Sequence, residues 1–361
     1  MSSTWGNQIK ISVFGESHGA GIGVVLDGLP AGARIDLDAV LLQMARRAPG
    51  NDPAATRRRE TDTPEILSGL LNGRTTGAPL AALIRNSDTR SQDYVNLSLV
   101  PRPGHSDFSA FFRYGGWNDI RGGGHFSGRL TAPIVFAGSV CRQLLAAHGV
   151  TVGAHLLSAG TVIEKPFDPV AVNEELLNSL NCRPFPTLDE KAKQRMRDEI
   201  ERARTDGDSV GGIVECAAVG LAPGIGNPMF GGVENVLASI LFGIPAVKGV
   251  EFGAGFAAAG LRGSENNDPF HVDPDGRFST ETNRHGGILG GITSGMPVIV
   301  RAAFKPTPSI ARPQRSVELI GRTEEELVVH GRHDACVAVR AVPVVEAAVC
   351  IGLLDLLQSR C

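Results

Sequence analysis

The chain has 361 residues, a formal net charge of −3, 42% hydrophobic residues and 20% charged residues. That composition excludes a mainly disordered chain and supplies no bulk positive charge for nucleic acid. Glycine is abundant, at 45 residues, and six of the 35 basic residues are Lys, the rest Arg; the Arg excess reads either as genomic bias or as a means of gripping anions with guanidinium forks.

No apolar run reaches the ~18 residues of a membrane span, and Met1 to Lys10 is polar, so neither a transmembrane helix nor a signal peptide is expected. The cysteines, at 141, 182, 216, 336, 350 and 361, nowhere form C-x-x-C, which points to reduced thiols in a cytoplasm, with Cys141 and Cys350 as core filler. Lys10 to Phe14 predicts a strand entering glycine-rich sequence. Asp36 to Arg47 predicts a helix with Asp36 as N-cap and Leu37, Val40, Leu41 and Met44 as its apolar stripe. Residues 48–61 read as a loop rich in Pro, Asp and Arg, 75–85 as a turn and a strand, and 86–109 as a polar segment stiffened by Pro101 and Pro103. Thr131 to His148 predicts a long apolar helix stopped by Gly149, and Gly153 to Glu164 a strand. Leu188 to Arg204 has the period of an amphipathic helix, with Leu188, Ala192, Met196, Ile200 and Ala203 on one side. Strands are expected over 210–220 and 296–304, a helix over 234–241, a turn at Ile244-Pro245-Ala246, and a second apolar helix over 341–357 with Glu346 inside it. Two such helices need cover on both sides, and strands joined by loops as often as by helices favour an α+β fold over a βαβ array. No linker divides the chain, which reads as a single domain, 1–361.

Five segments carry chemistry. Gly15-Glu16-Ser17-His18-Gly19 matches G-x-S-x-G, the nucleophile elbow of serine hydrolases, but only one strand precedes it and Gly19 to Gly23 is a poor helix start; a glycine-rich turn with a satisfied histidine is the plain alternative. Neither G-x-G-x-x-G nor a Walker A lysine is present. Pro101 to Asp107 (PRPGHSD) presents Arg102 and His105 from a stiff loop, suited to an anionic ligand or to an exposed turn. Arg121 to Arg129 (RGGGHFSGR) brings three glycines to a helix N-terminus, where backbone N–H groups attract anions. Lys305-Pro306-Thr307-Pro308-Ser309 ends a strand, and Gly331-Arg332-His333-Asp334 precedes the last helix. His330 and His333 lack an H-E-x-x-H motif or a Cys partner, so no metal is expected. Together the loops read as a site for a polyanion, with room for a phosphate-bearing cofactor.

In this order, the segments resemble the chorismate synthase family. So do Leu67-Ser68-Gly69 with Thr75-Thr76-Gly77, Ser91-Gln92-Asp93-Tyr94, Gly207-Asp208-Ser209, Pro245 to Gly249 and Gly286 to Gly291, and the likeness runs from Gly6-Asn7 to about Leu357. The resemblance implies a lyase of the shikimate pathway for aromatic amino acids, which converts 5-enolpyruvylshikimate-3-phosphate to chorismate by 1,4-elimination of phosphate with reduced FMN. It implies a β-α-β sandwich, with central long helices between antiparallel sheets, in a cytoplasmic homotetramer. With no flavin-reductase domain evident, an external reductant is expected. By resemblance His18, with Ser17 beside it, assists the departing phosphate, His105 protonates the reduced flavin, and Asp334 acts with the flavin in removing the ring proton. Arg47, Arg102, Arg129, Arg332 and Ser127 are implied substrate contacts. His125, Phe126, Ser127, Pro245, Ala246, Gly290, Lys305, Pro306, Thr307, Pro308, Ser309 and Arg332 are implied FMN contacts. The chain departs from the family pattern at His125-Phe126, where many members have Arg-Ser, at Leu130, where they have Glu, and at Pro53, aligned with an Arg associated with the NADPH reductant, for which Arg57, Arg58 or Arg59 are candidates. A serine hydrolase using Ser17 and a non-catalytic flavin or polyanion binder are the competing readings.

Overall fold

Ile22, Val24 and Leu26 alternate with less apolar neighbours, and this two-residue period makes Gly21–Asp27 the centre of a sheet with its apolar face inward. The computed structural model describes residues 3–48, 62–87, 99–329 and 334–359. The first sheet has the order Thr4–Trp5, Lys10–Gly15, Gly21–Asp27, Leu80–Arg85, Pro64–Ser68, and every pairing is antiparallel. The second has the order Val247–Phe252, Val298–Phe304, Gly212–Val219, Thr151–Ala159, Val162–Ile163, again antiparallel throughout.

The two apolar helices lie between the sheets. Thr131–Ala147 packs on the first sheet and on Ala338–Gln358, which in turn packs on the second. The expected α+β sandwich with central helices is therefore the observed architecture. Ala338–Gln358, and the helical stretch Arg121–Ala147 that ends in Thr131–Ala147, are long and apolar enough to cross a membrane by composition, but both are mostly buried in the core. They touch so closely that a Cβ on Gly138 would come within 2.3 Å of Ala347 Cβ, which only glycine avoids. The buried Glu346 carboxylate in this layer is held by several donors. Glu346 receives two bonds from Arg46 (2.6 and 3.0 Å), one from Arg142 (2.7 Å) and one from the Ala154 N–H (3.1 Å). Asp355 accepts the N–H groups of Asn7, Gln8 and Ile9, tying the first strands to the last helix.

Several expectations shift. The first helix is Leu37–Arg47, and the Asp36 carboxylate caps it through the N–H groups of Asp38 and Ala39. It buries Val40, Met44 and Arg47, while Leu37 and Leu41 are exposed, because the helix turns its 40–44–47 side to the central layer and sends Arg47 toward the site. Leu188 precedes its helix, which runs Glu190–Thr205 from an Asp189 cap. The segment 153–164 is a hairpin bent at Gly160 rather than one strand. Asp107–Tyr114 is a helix ended by left-handed Gly115, and its first turn starts inside the 86–109 segment read as polar. The loop over 49–61, with Pro53 and Arg57 to Arg59, lies outside the described residues, as do Ser91 to Tyr94, His330, Arg332 and His333.

Candidate active site

All five chemistry-bearing segments supply walls to one cavity of about 1340 Å³, the first through Glu16 alone, together with Arg47, Pro245 and Ala246. Arg47, Arg102, Arg129, His105, Asp334, Ser127, His125, Phe126, Lys305, Thr307, Pro308 and Ser309 all line it. Three cross-chain bonds hold the walls together: Lys305 Nζ donates to the Gly104 carbonyl, Lys305 N to the Ala246 carbonyl (3.0 Å), and Ser209 Oγ to the Thr307 carbonyl (2.7 Å). Ala246 keeps φ at 75°, a left-handed value that L-residues seldom adopt outside constrained sites.

Arg47, Arg129 and Arg102 are each pinned by a buried carboxylate. Arg47 sends Nη1 to Asp62 Oδ2 (2.7 Å), Nε to Thr131 Oγ1 (3.1 Å) and Nη2 to the Gly128 carbonyl (2.8 Å). Arg129 Nη1 donates to the other oxygen of Asp62, and its Nε to Asn86 Oδ1 (3.1 Å). Burial pushes the Arg47 guanidinium down to about 10 against the pull of Asp62. Burial would raise Asp62, but Arg47 and Arg129 outweigh it and hold the carboxyl below its usual range. Arg102 makes a bidentate pair with Asp107, Nε to Oδ2 (2.7 Å) and Nη2 to Oδ1 (2.8 Å), and its Nη1 donates to Ser309 Oγ (3.1 Å). His105 Nδ1–H donates to Asp107 Oδ1 (2.5 Å). Burial, helped by Arg102 and Lys305, lowers the His105 imidazole below its ordinary value, although Asp107 pulls the other way. Burial, Lys248 and Arg102 lower Lys305 in turn. One end of the cavity is thus concentrated positive charge in a chain of net negative charge.

The glycine run is a cradle. Gly122, Gly123 and Gly124 have φ of 61°, 84° and 52°. A Cβ on Gly122 would stand 2.6 Å from His18 Cδ2 and 2.8 Å from Ser17 Oγ, and one on Gly123 would stand 3.3 Å from His105 Nε2. The turn therefore drapes over His18 and Ser17, which are buried behind it rather than on the cavity lining, and Ser17 N–H bonds the Gly124 carbonyl (3.1 Å). The glycines serve contact with these side chains as much as approach by a ligand. Gly15 to Gly19 links two antiparallel strands, with no helix after it, so the nucleophile-elbow reading of Ser17 is set aside. Ser17 Oγ and Thr307 Oγ1 are buried and lack a hydrogen-bond partner among the described residues.

At His125, Phe126 and Leu130 the local structure is well packed. His125 Nδ1–H donates to the Gly15 carbonyl (2.8 Å), and Nε2 meets Ser3 Oγ at 2.8 Å. Phe126 faces Tyr114 with ring centres 6.3 Å apart, and Leu130 is buried. Pro306 and Gly290 do not line the cavity; Gly290 lies in the tight Ile288–Thr293 hairpin. Sequence reasoning missed Asp62, Asp107 and Arg340. Asp107 could have been found two residues after His105, and Arg340 as a charge entering an apolar helix; Asp62, just past the Pro-, Asp- and Arg-rich segment, carried no signal.

The sequence model of the family described as "Chorismate synthase" matches residues 9–358. The chain is 51% identical over 356 residues to a chorismate synthase of Thermococcus kodakarensis, covering 98% of this chain and 97% of that protein. It is 46% identical over 357 residues to one of Dehalococcoides mccartyi, covering 99% and 96%. A solved structure titled "Crystal Structure of Chorismate Synthase" superposes with a TM-score of 0.75 at 29% identity, covering 99% of this chain and 93% of that one.

Proposed function

Because the chain belongs to the chorismate synthase family, we propose that this cavity carries out that family's elimination of phosphate from 5-enolpyruvylshikimate-3-phosphate to give chorismate, with reduced FMN bound beside the substrate. The observation that carries the reading is the convergence of Arg47, Arg102, Arg129, His105 and Asp334, from separate parts of the chain, on one cavity.

The substrate bears two carboxylates and a phosphate, and pinned guanidinium groups meet such anions without reorganising. Each charge-assisted bond contributes roughly 1.5–3 kcal/mol. His18, under the Gly122 turn with Ser17, is the proton source assigned to the departing phosphate. Asp334 is the carboxylate assigned to take up the ring proton. His105 rests neutral with its proton on Nδ1, aimed at Asp107; a trianion bound nearby favours its cationic form, so substrate binding primes it to give up a proton.

The residues present fit a flavin. The cavity is roomy, Ile134, Ile240, Ile244 and Val344 offer an apolar wall, and Thr307 on the lining holds a buried hydroxyl with no partner among the described residues. Lys305, Thr307, Pro308, Ser309, Pro245, Ala246, Ser127, His125 and Phe126 would hold it. When bound, the flavin supplies an electron to the reaction and recovers it at the end. The enzyme is further read as a cytoplasmic homotetramer fed by an external reductant. Exposed Phe256, Phe270, Phe278, Leu37 and Leu41 support association with further copies.

Anaerobic incubation with reduced FMN and 5-enolpyruvylshikimate-3-phosphate should release phosphate and form chorismate. Folded protein that binds FMN yet turns over no substrate would favour the non-catalytic reading instead. Light scattering should give a mass near four chains.

A further inference from the structure

We propose that Arg340 is a positioning residue that clamps Asp334 and joins it rigidly to Arg47, so that the proton-accepting carboxylate and an anion-binding arginine hold one fixed geometry. The proposal rests on the assignment of Asp334 as the proton acceptor.

Arg340 lies in the first turn of Ala338–Gln358, a helix that is otherwise almost wholly apolar. Its Nη1 donates to Asp334 Oδ2 at 2.7 Å, and its Nε donates to the Arg47 carbonyl at 3.0 Å. Arg340 and Asp334 keep side-chain exposures of only 17% and 13%, and both line the cavity with Arg47. Arg47 is the last residue of its helix, so its carbonyl has no partner within that helix, and a cation there is favoured by the helix dipole. One guanidinium thus spans the end of the first helix and the loop that carries Asp334.

The geometry separates this role from direct anion binding. With Nε given to a backbone carbonyl and Nη1 to Asp334, neither edge of the fork is whole for bidentate grip of a substrate carboxylate or phosphate. Lysine could not replace it, because a single ammonium cannot hold two fixed acceptors with planar geometry. An ordinary helix-to-loop tie would need only one of the two bonds. Here both end on residues of the cavity wall, and the carboxylate is oriented from one side while the arginine main chain is held from the other.

The test is a double-mutant cycle on the holoenzyme with reduced FMN, using R340Q, R340K, D334N and R340Q/D334N. D334N alone tests the underlying assignment: wild-type kcat in D334N removes Asp334 as proton acceptor, whatever Arg340 does. With that assignment standing, R340Q should lower kcat by about 10- to 100-fold, the cost of a misplaced reacting group. KM for the substrate should stay within about threefold, and R340K should recover only part of the loss. On the D334N background R340Q should change kcat less than about twofold, because the residue acts through Asp334. Substrate deuterated at the carbon that loses its proton should show a larger isotope effect on kcat with R340Q than with wild type, which a merely structural tie would not produce. If R340Q fails to fold, R340K carries the same comparisons. Wild-type kcat in R340Q, a tenfold rise in KM at unchanged kcat, or losses that multiply with D334N would each overturn the proposal.

Discussion

Gly122→Ala is the sharpest perturbation of the candidate site, because it adds one carbon at a known point. Gly122 has φ of 61°, and an L-residue held there costs about 1–2 kcal/mol. The new Cβ would lie 2.6 Å from His18 Cδ2, 2.7 Å from His18 Nε2 and 2.8 Å from Ser17 Oγ, so the imidazole has to move. Driving His18 off its rotamer adds about 0.5–1.5 kcal/mol. Together these lower stability by roughly 2–3 kcal/mol, a fall in Tm of about 3 °C for a chain of this size. The effect on turnover is larger: a displacement of about 1 Å of a proton donor costs on the order of 100-fold. Anaerobic phosphate release, read beside a thermal melt, separates the two effects. Gly263→Ala is the control: its Cβ meets nothing within 4 Å, and no change in kcat or Tm is expected. Turnover in Gly122→Ala within threefold of wild type would refute the placement of His18 in the reaction.

Asp107→Asn removes the charge that pins Arg102 and holds the proton on His105 Nδ1. The His105 pKa should drop further, because the attraction that opposed burial is gone; NMR titration of the imidazole reads this, and turnover should fall by at least tenfold. Glu346→Gln leaves Arg46 and Arg142 facing a neutral group in the core and should cost on the order of 3–5 kcal/mol in urea unfolding at neutral pH. Burial would raise the Glu346 carboxyl, but the two arginines outweigh it and hold it below 4.5. Its contribution is therefore complete above that value and is lost as pH falls through the lowered one, an acid sensitivity the variant should lack. His155 behaves with opposite sign. Burial lowers it, yet its bonds to Glu164 and Glu215 raise it above 6.5 on balance, so its stabilisation is full below 6.5 and declines as pH rises through the raised value. His155→Gln should flatten the alkaline slope of Tm against pH; an unchanged slope would remove the pair as its cause.

The helices were the most readable part of the chain. Asp36 before Leu37 and Asp189 before Glu190 announce helix starts through side-chain bonds to the first free N–H groups, which are local chemistry. The greasy 131–147 and 338–358 segments imply a covered layer whatever the topology. Strand Gly21–Asp27 was missed because Gly15 to Gly23 resembles a loop, although Ile22, Val24 and Leu26 carry its period. Edge strand Val247–Phe252 was missed because Gly249 interrupts it. At the site, the arginines and histidines were legible from their motifs, and Asp107 lay two residues beyond His105, but Asp62 was not legible: it and Arg129 are 67 residues apart and meet only through the fold. Pairing across such distance has no signature in one sequence.

Those carboxylates explain how so many arginines can line one cavity. Unpaired buried guanidinium groups would repel one another and lose their hydration, so the folded state needs counter-charges. Asp62 serves Arg47 and Arg129 together, Asp107 serves Arg102, and Asp334 serves Arg340. One carboxylate shared by two arginines leaves net positive charge, and Lys305 and Lys248 add to it at the same wall. The result is a site short of negative charge, with donors already aimed. A trianionic substrate supplies the missing negative charge, which suits fixed guanidinium forks rather than mobile lysines at the residues converging there.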